Sequence, residues 1–276
     1  MAERLRPLEK IAAEDACSLV GVLCDIDDTL TVEGRLVPSA FAALDALQRA
    51  GLAVIPVTGR PAGWCDHIAR AWPVSGVVGE NGGLWFWMSA HGADGPPKLQ
   101  RGFFQSAAER AQNRARLDAL AGQILAAVPG TALASDQGYR ALDLAIDFCE
   151  DVPALPRESI DGIVAAFTAI GATCKVSSIH VNGWFGDFDK LTGFERLTHA
   201  LGLPADPARW AFVGDSANDA PMFGHFPLSV GVANVDAFLD RIPVWPAYRT
   251  AEPGGVGFAA LAARLLSLRG GEDKQR

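Results

Sequence analysis

Asp25, Asp27 and Asp28 fall within four positions, followed by Thr29, at the end of the apolar run Val20-Gly-Val-Leu-Cys24. A short apolar run rich in branched residues predicts a buried parallel strand. Carboxylates this close repel one another and raise one another's pKa. A divalent cation relieves the repulsion, and an oxygen-rich, carboxylate-lined set suits magnesium. At the carboxyl end of a parallel strand, where open α/β sheets place their ligands, the cluster reads as a metal-assisted active site. In isolation Asp-x-Asp-x-Thr fits an acidic turn or a helix cap equally well.

Other polar clusters sit at the end of a predicted strand or the start of a helix. Thr58-Gly59-Arg60 follows the apolar run Leu52–Val57 and precedes a predicted helix, a setting that suits an anionic oxygen or simply a helix cap. Lys190 opens a predicted helix, where the helix dipole disfavours a cation unless an anion lies nearby; a surface lysine is the alternative. Gly214-Asp215-Ser216-Ala217-Asn218-Asp219 offers two more carboxylates in a turn that alone would pass for an Asx-rich loop. Together these are parts for phosphoryl transfer. A carboxylate carries the phosphoryl group, a second protonates the leaving oxygen, and Mg²⁺ and a lysine offset charge on the phosphoryl oxygens.

The elements that must position these residues alternate at both ends of the chain. A helix from Pro38 with Phe41, Leu44 and Leu47 on its apolar spacing stops at Gly51, and a strand Leu52–Val57 follows. A helix from Pro61 and a short strand over Val74–Val78 complete a second βα unit. The pattern resumes with a helix over Lys190–Leu201, strands Trp210–Val213 and Leu228–Val232, and a helix near Phe258–Leu268. Such alternation predicts a doubly wound parallel sheet. Between them, strand-like runs at Gly83–Met88, Ala141–Phe148 and Thr173–Val181 flank a helix over Glu109–Val128, which predicts an inserted α+β unit. Ala141–Phe148 alternates as a half-exposed antiparallel strand should, and His91–Arg101 reads as an exposed loop. The charged tail after Gly270-Gly271 is expected to fray.

With 276 residues, 49 % hydrophobic and 20 % charged, the chain has the composition of a soluble globular enzyme with a sizeable core, and not that of a disordered protein. A net charge of −8 without a Lys/Arg block argues against nucleic-acid partners. No apolar run approaches the length of a membrane span, and the N-terminus lacks the apolar core of a signal peptide. Five scattered cysteines read as reduced thiols in a cytoplasmic protein, with Cys24 a packing residue of its strand. Oligomeric state is not legible.

The order Asp25-x-Asp27-x-Thr29, Thr58-Gly59-Arg60, Lys190, Gly214-Asp215-x-x-Asn218-Asp219 resembles the four motifs of the haloacid dehalogenase (HAD) superfamily. The resemblance implies a Rossmann-like doubly wound core at residues 1–82 and 187–276. Arg60 and Lys190 stand 130 positions apart, and an insert there, at 83–186, is similar to the C2-type cap domain. Glu80-Asn81-Gly82-Gly83 resembles the turn leading into that cap in the Cof-like and sucrose-phosphatase-like type IIB members, and Gly231-Val-Ala-Asn234 fits the same group. Carried over, Asp25 is the nucleophile and Asp27 the general acid and then base. Mg²⁺ is held by the Asp25 and Asp215 carboxylates and the Asp27 carbonyl, while Asp219 orients Lys190 or a metal-bound water. Thr58 and Lys190 hold phosphoryl oxygens, and Gly59, Arg60, Asn81 and Asn218 complete the substrate-facing set. Asp28 stands where relatives often have Gly or Asn.

The expected activity is a Mg²⁺-dependent phosphatase acting on a small phosphorylated metabolite, a sugar phosphate foremost, through an aspartyl-phosphate. The same resemblance admits a sugar phosphomutase or a non-catalytic HAD-like regulatory protein. Asn218-Asp219 departs from the trehalose-phosphatase branch. In the insert, Asp136 and Arg140 are candidate substrate-binding residues, as is the pair His180-x-Asn182, although local satisfaction of these groups is an equal reading. Trp85, Trp87 and Trp184 read as core or interface residues, and His67, His91, His199 and His225 have no metal-ligand spacing.

Overall fold

The computed structural model of the protein describes residues 5–89, 95–177 and 179–270. The tail after Gly270 and part of the expected loop, with His91, lie outside them. A six-stranded parallel sheet runs in the order Arg6–Pro7, Tyr248–Arg249, Leu228–Gly231, Trp210–Gly214, Gly21–Cys24, Ala53–Pro56. Strand residues alternate between two faces, and in the central strands Gly21–Cys24, Trp210–Gly214 and Leu228–Gly231 both faces are buried. Val22, Cys24, Val54, Ala211 and Val213 join a cluster with Leu44 and Leu47 of helix Pro38–Arg49 and Phe258 and Leu265 of helix Gly254–Gly270. Leu23, Ile55, Trp210 and Phe212 join the opposite cluster with Phe194 and Leu197 of helix Lys190–Leu201 and Met222 of helix Ala220–His225. Burial on both sides is why these strands read as unbroken apolar runs.

Directly after Asp25–Leu30, the strands Thr31–Val32 and Arg35–Leu36 form a hairpin. Its two-residue turn, Glu33-Gly34, has φ of 50° and 71°, the positive values that a tight hairpin turn requires.

A second, four-stranded antiparallel sheet runs in the order Thr173–Val176, His180–Trp184, Leu144–Asp147, Ala132–Leu133. Helices Ala107–Ala127 and Arg157–Ala169 cover it and close a separate cluster of Leu117, Leu120, Ile124, Leu144, Ile146, Ile163, Phe167 and Val181. Ser106 starts the first of these helices with a capping box to Glu109.

The insert differs from the sequence reading in several particulars. Leu84–Met88 and Leu99–Phe103, the second of them expected as loop as far as Arg101, form a hairpin paired to Val77–Gly79, and Val78 bridges Val57 of the main sheet. Leu84 and Phe86 enter one main cluster while Trp85 and Trp87 pack on the other, so this hairpin is built on the core although it falls inside 83–186. The run Thr173–Val181 is two strands, broken where the Ser177 hydroxyl accepts from the Ile179 and His180 N–H groups. Ala141–Phe148 is not half-exposed: Leu144–Asp147 is buried throughout. Its polar positions face partners rather than water. Asp143 is paired with Arg140, and Asp147 accepts from the N–H groups of Cys149, Glu150 and Asp151. Among the described residues, no helix is long and apolar enough to cross a membrane.

Candidate active site

The strands Gly21–Cys24 and Trp210–Gly214 are adjacent and parallel, so the residues that follow each of them arrive side by side. The Asp25 N–H donates to the Val213 carbonyl at 2.9 Å, which locks the two loops in register. Thr29 Oγ1 donates to Asp215 Oδ1 at 3.1 Å. Lys190 Nζ donates to Asp25 Oδ1 at 2.9 Å and to Asp219 Oδ1 at 2.7 Å. The other Asp219 oxygen accepts from the N–H groups of Asp215 and Ser216 at 3.1 and 3.4 Å. Both oxygens of Asp219 are therefore committed, one to the lysine and one to the loop that carries Asp215. Asp189 ends the preceding chain as the N-cap of the Lys190 helix, accepting from Thr192. The cation at this N-terminus is matched by two carboxylates, which answers its conflict with the dipole.

Asp25, Asp215 and Asp219 are all buried, with one oxygen of each inside a 4.8 Å span. Three carboxylates face one ammonium. Burial works against the Lys190 charge, but Asp219 and Asp25 outweigh it and hold the lysine protonated. The surplus negative charge falls on the other two. Burial pushes Asp25 up to about 7, with Lys190 opposing and Asp219 and Asp27 adding to the rise. Burial, then Asp219, Asp25 and Asp28, push Asp215 well above the usual carboxylate range. An all-oxygen set with unneutralised charge is what a small hard cation fits.

Asp27 points elsewhere. Its carboxylate is gripped by Arg60, whose Nε lies 2.9 Å from Oδ2 and whose NH2 lies 2.7 Å from Oδ1. Arg60 also lies over the Trp64 ring. Thr58 is fully buried and its Oγ1 accepts from the Arg60 N–H, which leaves its hydroxyl hydrogen free to donate. Asp28 takes a φ of 56°, its N–H donating to Thr31 Oγ1 and its carbonyl accepting from Asn234 Nδ2.

A cleft opens over these residues. Asp25, Asp27, Gly59, Arg60, Asn81, Asp215 and Asn218 line it from the core side. Lys175, His180 and Asn182 of the second sheet, with Arg140 of the same insert, line it from the other side. The structure thus brings the sequence candidates together, with two qualifications. Asp136 is absent from the lining and instead pairs with Arg140, 3.1 Å away. Arg140 is spent on neighbours: it holds Asp136 and Asp143 and donates to the Gly59 carbonyl at 3.1 Å. His180 Nε2 lies 2.8 Å from Glu150 Oε2 without the alignment of a hydrogen bond.

Glu80 was not among the sequence candidates. It is fully buried with a φ of 44°, and its oxygens accept from the N–H groups of Ala62, Ala141, Leu142 and Asp143 at 2.6–3.1 Å. Burial and the nearby Asp143 push it up to about 7, against the pull of those donors and Arg140. One carboxylate thus joins the helix after Thr58-Gly59-Arg60 to the 141–143 segment of the insert. Gly82, with φ of 106°, lies against the Asp189 backbone so closely that a Cβ has no room, which seats this turn on the start of the Lys190 helix. Lys175 was likewise unread. Glu80 is a single charged residue whose partners are distant in sequence, with the Glu80-Asn81-Gly82 turn as the available signal, and Lys175 is a single cation on a strand with no motif around it.

No family model matches the chain, and no curated relative matches it. Solved structures do. A protein of Thermoplasma acidophilum superposes with a TM-score of 0.67 at 18 % identity, over 91 % of this chain and 99 % of its own. A HAD/COF-like hydrolase from Plasmodium vivax gives 0.65 at 17 %, covering 93 % and 100 %. The sucrose-phosphatase of Synechocystis, in complex with sucrose and phosphate, gives 0.63 at 17 %, covering 90 % and 98 %.

Proposed function

We propose, for a chain that has the fold of the C2-capped haloacid dehalogenase-like hydrolases, that it is a phosphoric monoester hydrolase acting on a small phosphorylated metabolite, a sugar phosphate or sugar-phosphate conjugate foremost. One observation carries the reading: Lys190 held between Asp25 and Asp219, with Asp215 beside them, at the carboxyl ends of adjacent parallel strands. In this reading an Asp25 oxygen attacks phosphorus and the bond to the leaving oxygen breaks, giving an aspartyl-phosphate. Asp27, once released from Arg60 and protonated from solvent, passes that proton to the leaving alcohol and, as a carboxylate again, takes one from the water that frees phosphate. Thr58 and Lys190 face the phosphoryl oxygens. Asp25 and Asp215 would hold a Mg²⁺ ion, which offsets charge on the transferring group when bound; Asp219, with both oxygens engaged, would keep Lys190 in place. The cap is read as the unit carrying the four-stranded sheet, from about Gln105 to Phe185, with the hairpin 84–103 counted with the core.

A phosphate-release screen over sugar phosphates and other small esters, with and without Mg²⁺, tests the function. Net release of phosphate is expected; transfer without release would make it a mutase, and no turnover at all would leave a binding protein. Chelation is expected to silence the enzyme, and Asp215→Ala to weaken Mg²⁺ binding by about tenfold or more in titration calorimetry, as loss of a carboxylate ligand should. Full hydrolysis by exhaustively chelated protein would remove the metal from this account.

The Arg140 contacts give a further expectation. Because its guanidinium supports the Gly59 carbonyl, Arg140→Ala should lower kcat/KM on a small generic ester and on bulky esters alike, by about tenfold or more. A loss confined to bulky esters would return Arg140 to the role of selector.

A further inference from the structure

Three cations line the cleft, and two are neutralised by the protein. Arg60 is paired with Asp27, and Arg140 with Asp136 and Asp143. Among the described residues, Lys175 has no ion-pair or hydrogen-bond partner. It sits on the edge strand Thr173–Val176 directly opposite Asn182 of the neighbouring strand, and both line the cleft. Cross-strand partners share a face, so the ammonium and the Asn182 amide face the cleft from one side. Lys175 is half-buried. Burial and then the charge of Lys190 push its pKa down, with Asp189 and Asp219 opposing. A cation that has lost part of its hydration and faces a second cation is an uncompensated cost until an anion arrives.

The opposite wall decides where such an anion can sit. The core side carries the Asp25 and Asp215 carboxylates, and its Arg60 is already paired with Asp27, so a second negative group on a substrate meets repulsion there and an unpaired cation on the Lys175 side. The lining also lacks Phe, Tyr and Trp; Val176 and Ile179 are its apolar side chains among the described residues. These walls offer charge and hydrogen bonds rather than a stacking surface for a neutral sugar ring.

We propose that Lys175 binds an anionic group on the leaving alcohol, so that the substrate is a phosphate ester whose alcohol itself carries a carboxylate or a second phosphate. This rests on the phosphatase reading above and adds the charge of the part that leaves.

The test compares the wild type, Lys175→Gln and Lys175→Arg on four esters. They are a phosphoglycerate (carboxylate), a hexose bisphosphate (second phosphate), a hexose monophosphate (uncharged alcohol) and p-nitrophenyl phosphate. The wild type is expected to favour at least one acid-bearing ester by about tenfold or more in kcat/KM, the worth of one charge-assisted contact. Lys175→Gln should erase that preference through KM while leaving the other two esters unchanged, and Lys175→Arg should restore most of it. Which acid-bearing ester responds tells carboxylate from phosphate. Equal losses on all four esters would place Lys175 on the transferred phosphoryl group and overturn the proposal, as would no loss or no wild-type preference. If the wild type hydrolyses none of the panel, the phosphatase reading fails separately. Calorimetric binding of the same esters to the full chain then decides: tighter binding of an acid-bearing ester that depends on Lys175 supports the proposal, and its absence overturns it.

Discussion

Asp25→Asn is expected to lower phosphate-ester hydrolysis by at least about 10³-fold while leaving the protein folded, since an amide cannot carry the phosphoryl group. The same substitution should make the metal-free protein more stable above neutral pH. Burial raises the Asp25 carboxyl from its ordinary 3.8 to about 7, so between those values the folded protein holds a proton that the unfolded chain has released. Stability therefore falls as pH rises through that window, and the cost is fully present above about pH 7. Asn escapes it and leaves Lys190 paired with Asp219. In chelator, the melting temperature of the variant should exceed that of the wild type at pH 8, and the gap should close toward pH 4. Activity within a few-fold of wild type would remove Asp25 from its role, and a lower melting point at pH 8 would show that the Lys190 pairing outweighs the repulsion.

The second large effect concerns Glu80. Glu80→Ala leaves the N–H groups of Ala62, Ala141, Leu142 and Asp143 without their acceptor in a fully buried place. Each orphaned donor costs about 1–3 kcal/mol, and partial repair by water brings the expected total to about 3 kcal/mol or more. Urea unfolding measures it as a lowered midpoint. Hydrogen exchange at residues 141–143 should accelerate more than exchange in the main sheet, because this carboxylate ties the insert to the core at those three residues. Glu80→Gln, which keeps one acceptor oxygen and turns an amide NH₂ toward the donors, should fall between. A variant as stable as the wild type, with unchanged exchange, would mean that this carboxylate is not a fastening point.

The core and its polar clusters were legible because three of the four clusters directly follow a run buried on both faces and the fourth, Lys190, opens a helix. A strand that must be wholly apolar makes the charges at its end conspicuous. The insert was less legible because its polar residues are satisfied internally. Asp143 and Asp147 imitate the solvent side of an alternating strand, yet one neutralises Arg140 and the other caps a turn. The helix Arg157–Ala169 does carry a readable signal, Ile160, Ile163, Val164 and Phe167 at helical spacing, although the sequence reading did not include it. Leu99–Phe103 is polar enough to resemble loop; its strand character comes from pairing with Leu84–Met88. For Asp136 and Arg140 substrate contact and local satisfaction are equal readings of the sequence; the two pair with each other across four residues, whereas the reach of Arg140 to Gly59 is a tertiary contact that no local pattern announces.

The position of Gly21–Cys24 between Ala53–Pro56 and Trp210–Gly214 sets a timetable for synthesis. When the first two strands have left the ribosome, the partner on the other edge is still untranslated. At about 5–20 residues per second it arrives roughly ten seconds or more later. In that interval the four-stranded sheet of the insert, whose strands all lie within residues 132–184, has everything it needs to form. The nascent chain is therefore expected to fold from its middle outward, with Asp25 waiting at an open sheet edge until the last third of the protein closes over it.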